Sequence, residues 1–573
     1  MDFRLKETQK LRFANERGAY IKRGAEFNFL LAYPNLYKVG MSNLGIHIVY
    51  DLLNKREDTF CERGFLPESE ILARHKKTDT PLFSLETQRI FSDFDIIGFA
   101  ISFEMDYFNT VEMLKLGRIK ILSEDRGEED PIVIAGGPCA TFNPEPLAAF
   151  FDCFIIGEGE AVMPQFMDCY KEAKEEGLSR KEILKELSNV SGVYVPALYE
   201  HHYNEDGTVS CVESKEGAPE RVKRMWVEDL DEFAAHSVVI TEDTEFDLYL
   251  IETARGCGRH CRFCMAGYAF RKPRNRSVKE LKKAVDNGKK YGKRIGLMGA
   301  AISDYPEIDE LAKYILDNGM DMSVASFRAD SVTEELVSSL AKSGLKTLTM
   351  APEAGSDKLR KVINKGIEEE HLFYSMKLGI KAGILNFRLY FMIGLPFEKQ
   401  EDIEAIVSLA LRLKRYMEEE NSRGTLTLSI NPFIPKPCTP FMWLPMENKK
   451  AIKEKLRYIE KSLKKESRIK VIFESPREAE VQGILARGDR KLSEAILAAA
   501  DKGGAKFFLQ ELKEIGLQTD FYLTRDRGEN EIFPWEIIDI GVKREYLYNE
   551  LKKAKNQEST TKCFNGCKRC GVC

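Results

Sequence analysis

Apolar runs and amphipathic stretches alternate along most of this chain, and the alternation changes character along its length. Up to about residue 225, FNFLLAYP (27–34), DIIGFAIS (95–102), PIVIAGG (131–137) and FDCFIIGEGE (151–160) are continuous apolar runs and read as strands. NLGIHIVYDLLNK (43–55) and the stretch from 103 to about 123 carry helical patterns. Strands apolar on both faces, with helices between them, predict a parallel, doubly wound sheet. Ligands of such sheets bind beyond the strand C-termini. Here those loops are Tyr33 to Gly45, Ser102 to Asp106, Gly136-Gly137 and Gly157 to Glu160. NEDG (204–207) predicts the turn of a hairpin that closes this part.

From 246 to 445 a strand and a helix recur six times. The strands are FDLYLIET (246–253), RIGLMGA (294–300), MSVASFR (322–328), LKTLTMA (345–351), NFRLYFMIG (386–394) and TLTLSINPF (425–433). Six such units predict a partial (β/α)6 barrel with its site at the strand C-termini. The pattern then turns helical, from 446 to 560. ENKKAIKEKLRYIEKSLKKESR (447–468) reads as a helix with a solvated face of mixed charge, and ARGDRKLSEAILAAADKGG (486–504) as a second helix stopped by glycine. The expected units are therefore 1–225, a linker at 226–245, the barrel at 246–445, a helical C-terminal region at 446–560 and a tail at 561–573. NQESTTK (556–562) reads as a flexible polar leader to that tail.

Composition narrows the function. At 573 residues the chain is too long for one core, and its net charge of −5 gives no overall attraction to nucleic acid or anionic membrane. There is no apolar run of membrane-spanning length and no secretory apolar core at the N-terminus, so a cytoplasmic protein is expected. Thirteen cysteines are present. Seven fall in two clusters, which in a reducing compartment read as metal ligands rather than disulfides. The other six (Cys61, Cys139, Cys153, Cys169, Cys211 and Cys438) read as small core residues.

The central cluster, CGRHCRFC, sets Cys257, Cys261 and Cys264 on a loop directly after the first barrel strand. Zinc would need a fourth ligand, and the neighbours of His260 crowd it away from the point the thiols define. A [4Fe–4S] cube held by three thiolates keeps one iron open, which is a catalytic arrangement.

RGCGRHCRFC (255–264), with Phe263 before its third cysteine, resembles the signature of the radical S-adenosylmethionine (AdoMet) superfamily. The resemblance extends over the six strand–helix units. It implies that the open iron chelates AdoMet and that one electron cleaves it to methionine and a 5′-deoxyadenosyl radical. It also implies AdoMet contacts at other strand ends: the backbone at Gly299, with Glu353, Ser356, Arg388 and Gly394. The Gly-Gly-Glu form often seen in this family after the second strand is absent. Arg360 is a further candidate for the carboxylate. Asp304 and Tyr305 face substrate or serve as turn residues before Pro306.

PIVIAGGPCATFNPEPLAAFFDCFIIGEGE (131–160) resembles the cobalamin-binding module of cobalamin-dependent radical AdoMet enzymes. That implies a corrin tail against Gly136 and Gly137, with Ser102 bonding its benzimidazole. The Asp-x-His-x-x-Gly motif of histidine-ligating modules is missing, and His47 reads as ordinary packing, so the cobalt receives no histidine. NPFIPKPCTPFMW (431–443), ILARGDRKLSEAI (484–496) and FPWEIIDIGVKREYLYNE (533–550) look like a subgroup of uncharacterised bacterial members that end in a cysteine cluster.

That tail, CFNGCKRCGVC, carries Cys563, Cys567, Cys570 and Cys573. Four thiolates can cap a second [4Fe–4S] cube, hold zinc, or exchange disulfides. The expected activity is radical AdoMet methyl transfer with cobalamin. Sulfur insertion of the methylthiotransferase kind and a non-catalytic iron–sulfur role are the alternatives. A flavodoxin- or ferredoxin-like electron donor is implied. The substrate is open, small molecule or macromolecule, RNA included, and no membrane partner is expected.

Overall fold

A computed structural model describes residues 2–573. The N-terminal sheet contains β1 (Phe27–Leu36), β2 (Thr59–Leu66), β3 (Ile96–Ala100), β4 (Ile132–Gly136), β5 (Cys153–Ile155) and β6 (Val193–Tyr194). Their order is β2-β1-β3-β4-β5-β6, and every neighbouring pair is parallel except β5 with β6. The chain passes to one side of β1 for β2 and to the other for β3. The topological switch point therefore lies between β1 and β3.

β2 is the strand that the apolar pattern does not reveal. Its sequence, TFCERGFL, carries Glu62 and Arg63, both fully buried. Burial of such charges needs partners. Arg63 pairs with Glu86 at 2.7 Å and Glu16 at 2.5 Å. Glu62 accepts from the Thr87 hydroxyl at 2.8 Å and its amide at 3.1 Å.

The second sheet is an arc of parallel strands. Leu248–Glu252, Arg294–Met298 and Met322–Val324 form one run, and Thr347–Glu353, Asn386–Ile393, Leu426–Pro432 and Ile469–Phe473 form the other. A parallel bridge between Phe327 and Met350 joins them. The six expected strands are present, and Ile469–Phe473 adds a seventh in a region expected to be helical. Phe387, Leu389, Phe391 and Ile393 are buried under the outer helices, while Arg388, Tyr390 and Met392 alternate onto the inner, half-buried face. The helix Lys449–Leu463 belongs to this body too. It lays Ile452, Leu456, Ile459 and Leu463 on the barrel core and turns its charges outward.

The chain beyond residue 475 packs elsewhere. Ile484, Leu492, Ile496, Phe508, Trp535 and Leu551 share one hydrophobic core with the N-terminal sheet. Phe108 meets Phe508 edge-on at 5.5 Å, and Asn143 donates to the carbonyls of Ala486 (3.1 Å) and Gly488 (2.8 Å). Val222–Lys223 pairs in parallel with Ile538–Asp539. The two ends of the chain thus form one body beside the barrel. Among the described residues no helix is long and apolar enough to cross a membrane.

Candidate functional site

The cluster loop leaves the first barrel strand through a narrow neck. Ala254–Arg255 pairs antiparallel with Arg274–Asn275, pinching residues 256–273 into a closed excursion. Gly256 sits at φ +77°, and a Cβ there would lie 2.2 Å from the Phe270 carbonyl oxygen, so only glycine fits. Inside the loop the Arg259 amide donates to Cys257 Sγ at 3.4 Å, and a turn from Cys261 to Cys264 closes at 3.0 Å. Burial pushes the Cys264 thiol up to about 12, and neighbouring Cys261 and Cys257 push the same way. Each thiolate opposes the ionisation of its neighbours, and a bound cation would relieve that repulsion. Two side-chain cations stand by: Arg328 Nη1 is 3.9 Å from Cys261 Sγ, and Lys365 lies 5.8 Å over the Phe263 ring while pairing with Glu353 at 3.0 Å. Among the described residues no three His, Cys, Asp or Glu side chains converge on a lone metal ion.

A cavity of about 620 Å³ opens beside this neck. It gathers all four loops that the first sheet was expected to offer to a ligand, through residues such as Tyr33, Ser102, Gly137 and Glu160. It reaches down the sheet face between Phe29, Gly98, Ile134 and Ile155 on one side and Ile48, Val49 and Met163 on the other. Its far wall is the barrel: Glu252, Arg255, Gly256 and Met298-Gly299-Ala300.

A buried ion network ties the two walls together. Arg255 reaches Glu158 (2.9 Å) and Glu160 (2.8 Å) from the first sheet's last loop, and Glu252 (2.9 Å) from its own strand. Arg274 also pairs with Glu158, and Arg276 with Glu252. Burial alone would lift the Glu158 carboxyl, but Arg274 and Arg255 hold it below its ordinary range. None of these acids and arginines was singled out as a pair from the sequence. The repeated Gly-Glu and the arginine directly before Gly256-Cys257 were the available signals.

The expected cofactor contacts divide. Ser102, Gly136, Gly137 and Gly299 line the cavity. Ser102 Oγ accepts from Asn43 at 3.3 Å, and Gly136 is open enough that a Cβ would meet only Ile155, at 3.7 Å. Glu353, Ser356, Arg388 and Gly394 lie outside it. Glu353 stands at φ +66° with its carboxylate on Lys365. Arg388 is on the inner barrel face with its Nε unpartnered. Ser356 caps the helix Asp357–Val362, accepting from the Leu359 amide and donating to Asp402 at 2.6 Å. Gly394 is glycine because its φ of +75° strains any other residue, and a Cβ there would also crowd Ile452 and Glu447. Arg360 braces the Ala354 and Gly355 carbonyls. Asp304 pairs with Arg259 at 2.7 Å, and buried Tyr305 donates to the Arg276 carbonyl at 2.9 Å. His47 is buried packing, as expected: Nε2 lies 3.0 Å from the Met41 carbonyl and Nδ1 accepts from the Val238 amide. Of the scattered cysteines, Cys61, Cys139, Cys153 and Cys438 are buried, Cys169 is half-buried and Cys211 is exposed.

The tail does not swing on a flexible leader. Thr560 is buried, and its amide donates to Asn364 Oδ1 at 2.8 Å. Asn364 in turn donates to the carbonyls of His260 (3.1 Å) and Thr560 (3.0 Å). Arg262, inside the cysteine motif and fully buried, donates to the Glu558 carbonyl at 2.7 Å and pairs with Glu550 at 3.1 Å. NQESTTK finds its partners in Arg262 of the cluster loop, in Asn364 and in Glu550, which composition could not reveal. The Cys563 amide donates to the Gly258 carbonyl at 2.8 Å, and Cys563 Sγ lies 3.5 Å from His260 Nε2. Cys567 and Cys570 are buried and Cys573 is exposed. Burial raises the Cys567 thiol, but the Arg569 amide and guanidinium, with Nε 3.2 Å from Sγ, bring it below its ordinary value.

An open arc of parallel strands, with a three-cysteine loop after its first strand, defines a radical AdoMet enzyme. Residues 251–410 match the family described as "Radical SAM superfamily", and residues 45–196 match "Radical SAM proteins, N-terminal". The chain belongs to the radical AdoMet superfamily, whose chemistry uses a [4Fe–4S] cluster and AdoMet. Over 470 residues it is 33% identical to the uncharacterized protein MJ0966 of Methanocaldococcus jannaschii, covering 81% of this chain and 90% of that one. Over 298 residues it is 24% identical to the uncharacterized methyltransferase PH0819 of Pyrococcus horikoshii, covering 50% of this chain and 59% of that one. A solved structure of the cobalamin-dependent radical enzyme OxsB, with aqua-cobalamin and AdoMet bound, is similar at a TM-score of 0.47 and 14% identity, covering 92% of this chain and 79% of that one.

Proposed function

We propose that this chain is a cobalamin-dependent radical AdoMet methyltransferase. The observation that carries the reading is the cavity, a single space that joins the ligand loops of the N-terminal sheet to the neck of the cluster loop. When bound, the cluster with AdoMet supplies a carbon-centred radical, and the corrinoid supplies a methyl group.

The residues suit both groups. Cys257, Cys261 and Cys264 would hold three irons and leave the fourth for AdoMet. Arg328 and Lys365 offset the thiolate charge at Cys261. The backbone at Gly299 borders the cavity at the second strand end, and Glu353 and Arg388 remain on the barrel side as candidate AdoMet contacts. The slot between Phe29, Gly98 and Ile134 and the helix bearing Ile48 is apolar and suits a flat aromatic nucleotide tail. Gly136 leaves its floor open, and Ser102 offers a hydroxyl at its mouth. Among the described residues no histidine lines the cavity. The chain therefore offers no imidazole to cobalt, and burial holds His47 neutral, down at about 4, in another set of hydrogen bonds.

Cys563, Cys567, Cys570 and Cys573 would supply the four thiolates of a second [4Fe–4S] cube. The enzyme needs a one-electron reductant and a substrate.

The test is anaerobic reconstitution with iron, sulfide and hydroxocobalamin. The expected product retains about one corrinoid per chain through gel filtration. Its cob(II)alamin paramagnetic resonance should lack splitting from a histidine nitrogen, since no histidine lines the cavity among the described residues. AdoMet with reductant gives 5′-deoxyadenosine. A chain that forms the cluster but releases all corrinoid would falsify the cobalamin reading.

A further inference from the structure

We infer that the inner face of the barrel carries a phosphate subsite, a row formed by Thr349, Arg388, Thr427 and Lys470, and that the substrate is a phosphomonoester. The inference rests on the proposed function, since the bound molecule is taken as the substrate of that reaction, and it names the substrate's chemical class.

The row follows from strand register. Thr349 lies directly opposite Arg388, Arg388 opposite Thr427, and Thr427 opposite Lys470. Their strand neighbours Leu348, Leu389 and Leu428 are buried under the outer helices, so the four side chains of the row fall together on the inner face. Arg388 and Lys470 stand two strands apart, about 10 Å between Cα atoms. Two long side chains close that gap over Thr427. Two cations flanked by two hydroxyl donors match a phosphomonoester, which brings about two negative charges and three terminal oxygens near pH 7.

The donors of this row are not used within the chain. Arg388 Nε is buried without a hydrogen-bond partner. Among the described residues, the side chains of Thr349, Thr427 and Lys470 make no hydrogen bond or ion pair, and neither do those of Tyr390 and Asn431 above them. The arginines near the rim differ, because Arg255, Arg259, Arg276 and Arg328 each hold a carboxylate. The inner positions of these four strands carry one acid, Glu353 at the rim, and it is paired with Lys365. Two cations therefore face the inner space uncompensated, and an anion satisfies both. Asn386 closes the row from below, accepting from the Thr425 amide at 2.9 Å and donating to the Lys346 carbonyl at 3.1 Å.

The row is open at one end. Ile469–Phe473 is the last strand of its sheet, and its Lys470 and Ile472 are exposed. A ligand can enter there from the side. Arg388 precedes the end of its strand at Ile393 by about 17 Å, at about 3.3 Å per residue. A phosphate in the row is the far end of an elongated substrate whose reacting carbon reaches the rim. That depth favours a role for Arg388 toward substrate over one toward AdoMet.

The test titrates the full chain with inorganic phosphate and, separately, with acetate, at constant ionic strength, by calorimetry. Phosphate is expected to bind wild type several-fold more tightly than acetate, and Arg388→Met/Lys470→Met to weaken phosphate by roughly tenfold or more. Equal phosphate affinity in wild type and variant overturns the inference. Acetate bound as tightly as phosphate overturns the phosphomonoester class. AdoMet retention by the reconstituted chain is followed by equilibrium dialysis. Its loss in Arg388→Met, with phosphate affinity kept, makes Arg388 an AdoMet contact and also overturns the inference. Should the double variant fail to fold, Lys470→Glu carries the test, since that side chain is exposed. It is expected to weaken phosphate by a similar factor, in a salt-dependent way, and an unchanged affinity sinks the row. A reconstituted chain that binds phosphate at the row but forms no 5′-deoxyadenosine instead refutes the proposed function and leaves the anion subsite standing.

Discussion

Asp106 shows how much of this site is decided by single groups. It closes the loop after β3, where Asn35 (2.9 Å) and Asn109 (3.2 Å) donate to its Oδ1. Burial outweighs those bonds and raises its carboxyl to about 6. The folded state therefore holds this proton more tightly than the unfolded chain, whose aspartates titrate near about 3.9. Stability linked to Asp106 is full below that value and is lost as pH rises toward 6. Asp106→Asn should raise unfolding free energy by up to about 3 kcal/mol at pH 8 and leave it nearly unchanged at pH 4, measured by urea titration. A stabilisation independent of pH would rule out the charge as its cause. The same scale separates what was legible. The seven clustered cysteines stand out in the sequence because their spacing is local. The neighbours of Ser356 and Gly394 do not, because Asp402 and Ile452 are each more than forty residues away in sequence.

Among the elements, the missed strands are instructive. Periodicity found the longer strands whose faces are both apolar and passed over only the two-residue β6 among the buried strands of the first sheet besides β2. It failed on β2 because that strand carries a buried charge network through its middle, and no local pattern announces that Glu16 and Glu86 lie opposite Arg63. Arg63→Met should lower the denaturation midpoint by the equivalent of about 3–5 kcal/mol at pH 7, since it leaves two carboxylates buried without a cation. The loss should shrink as pH falls and Glu86, whose carboxyl burial already raises, takes up a proton; a pH-independent loss would point to packing instead. The seventh barrel strand, Ile469–Phe473, was hidden differently. It is a short edge strand with a half-exposed pattern, recognisable only from its pairing with Leu426–Pro432.

For the whole molecule the decisive contacts lie between bodies. Arg255 belongs to the barrel by sequence, yet two of its three carboxylate partners come from the N-terminal sheet. It fixes the cavity's two walls relative to each other. Arg255→Met should leave iron content unchanged but weaken corrinoid binding by roughly tenfold, about 1.4 kcal/mol, read by equilibrium dialysis, with partial rescue in Arg255→Lys. Undiminished corrinoid affinity would show that the clamp does not shape the cavity. The sequence by itself determined most of the two sheets, the loops that line the cavity and the cysteine sets, because periodicity and residue spacing are short-range properties of a chain. Only the tertiary structure decided that the two ends of the chain share a core, that one cavity spans both sheets, and that the tail is pinned to the central loop through Gly258, His260 and Arg262. Those outcomes depend on which distant surfaces bury each other's charges and apolar faces, and no local pattern carries that information.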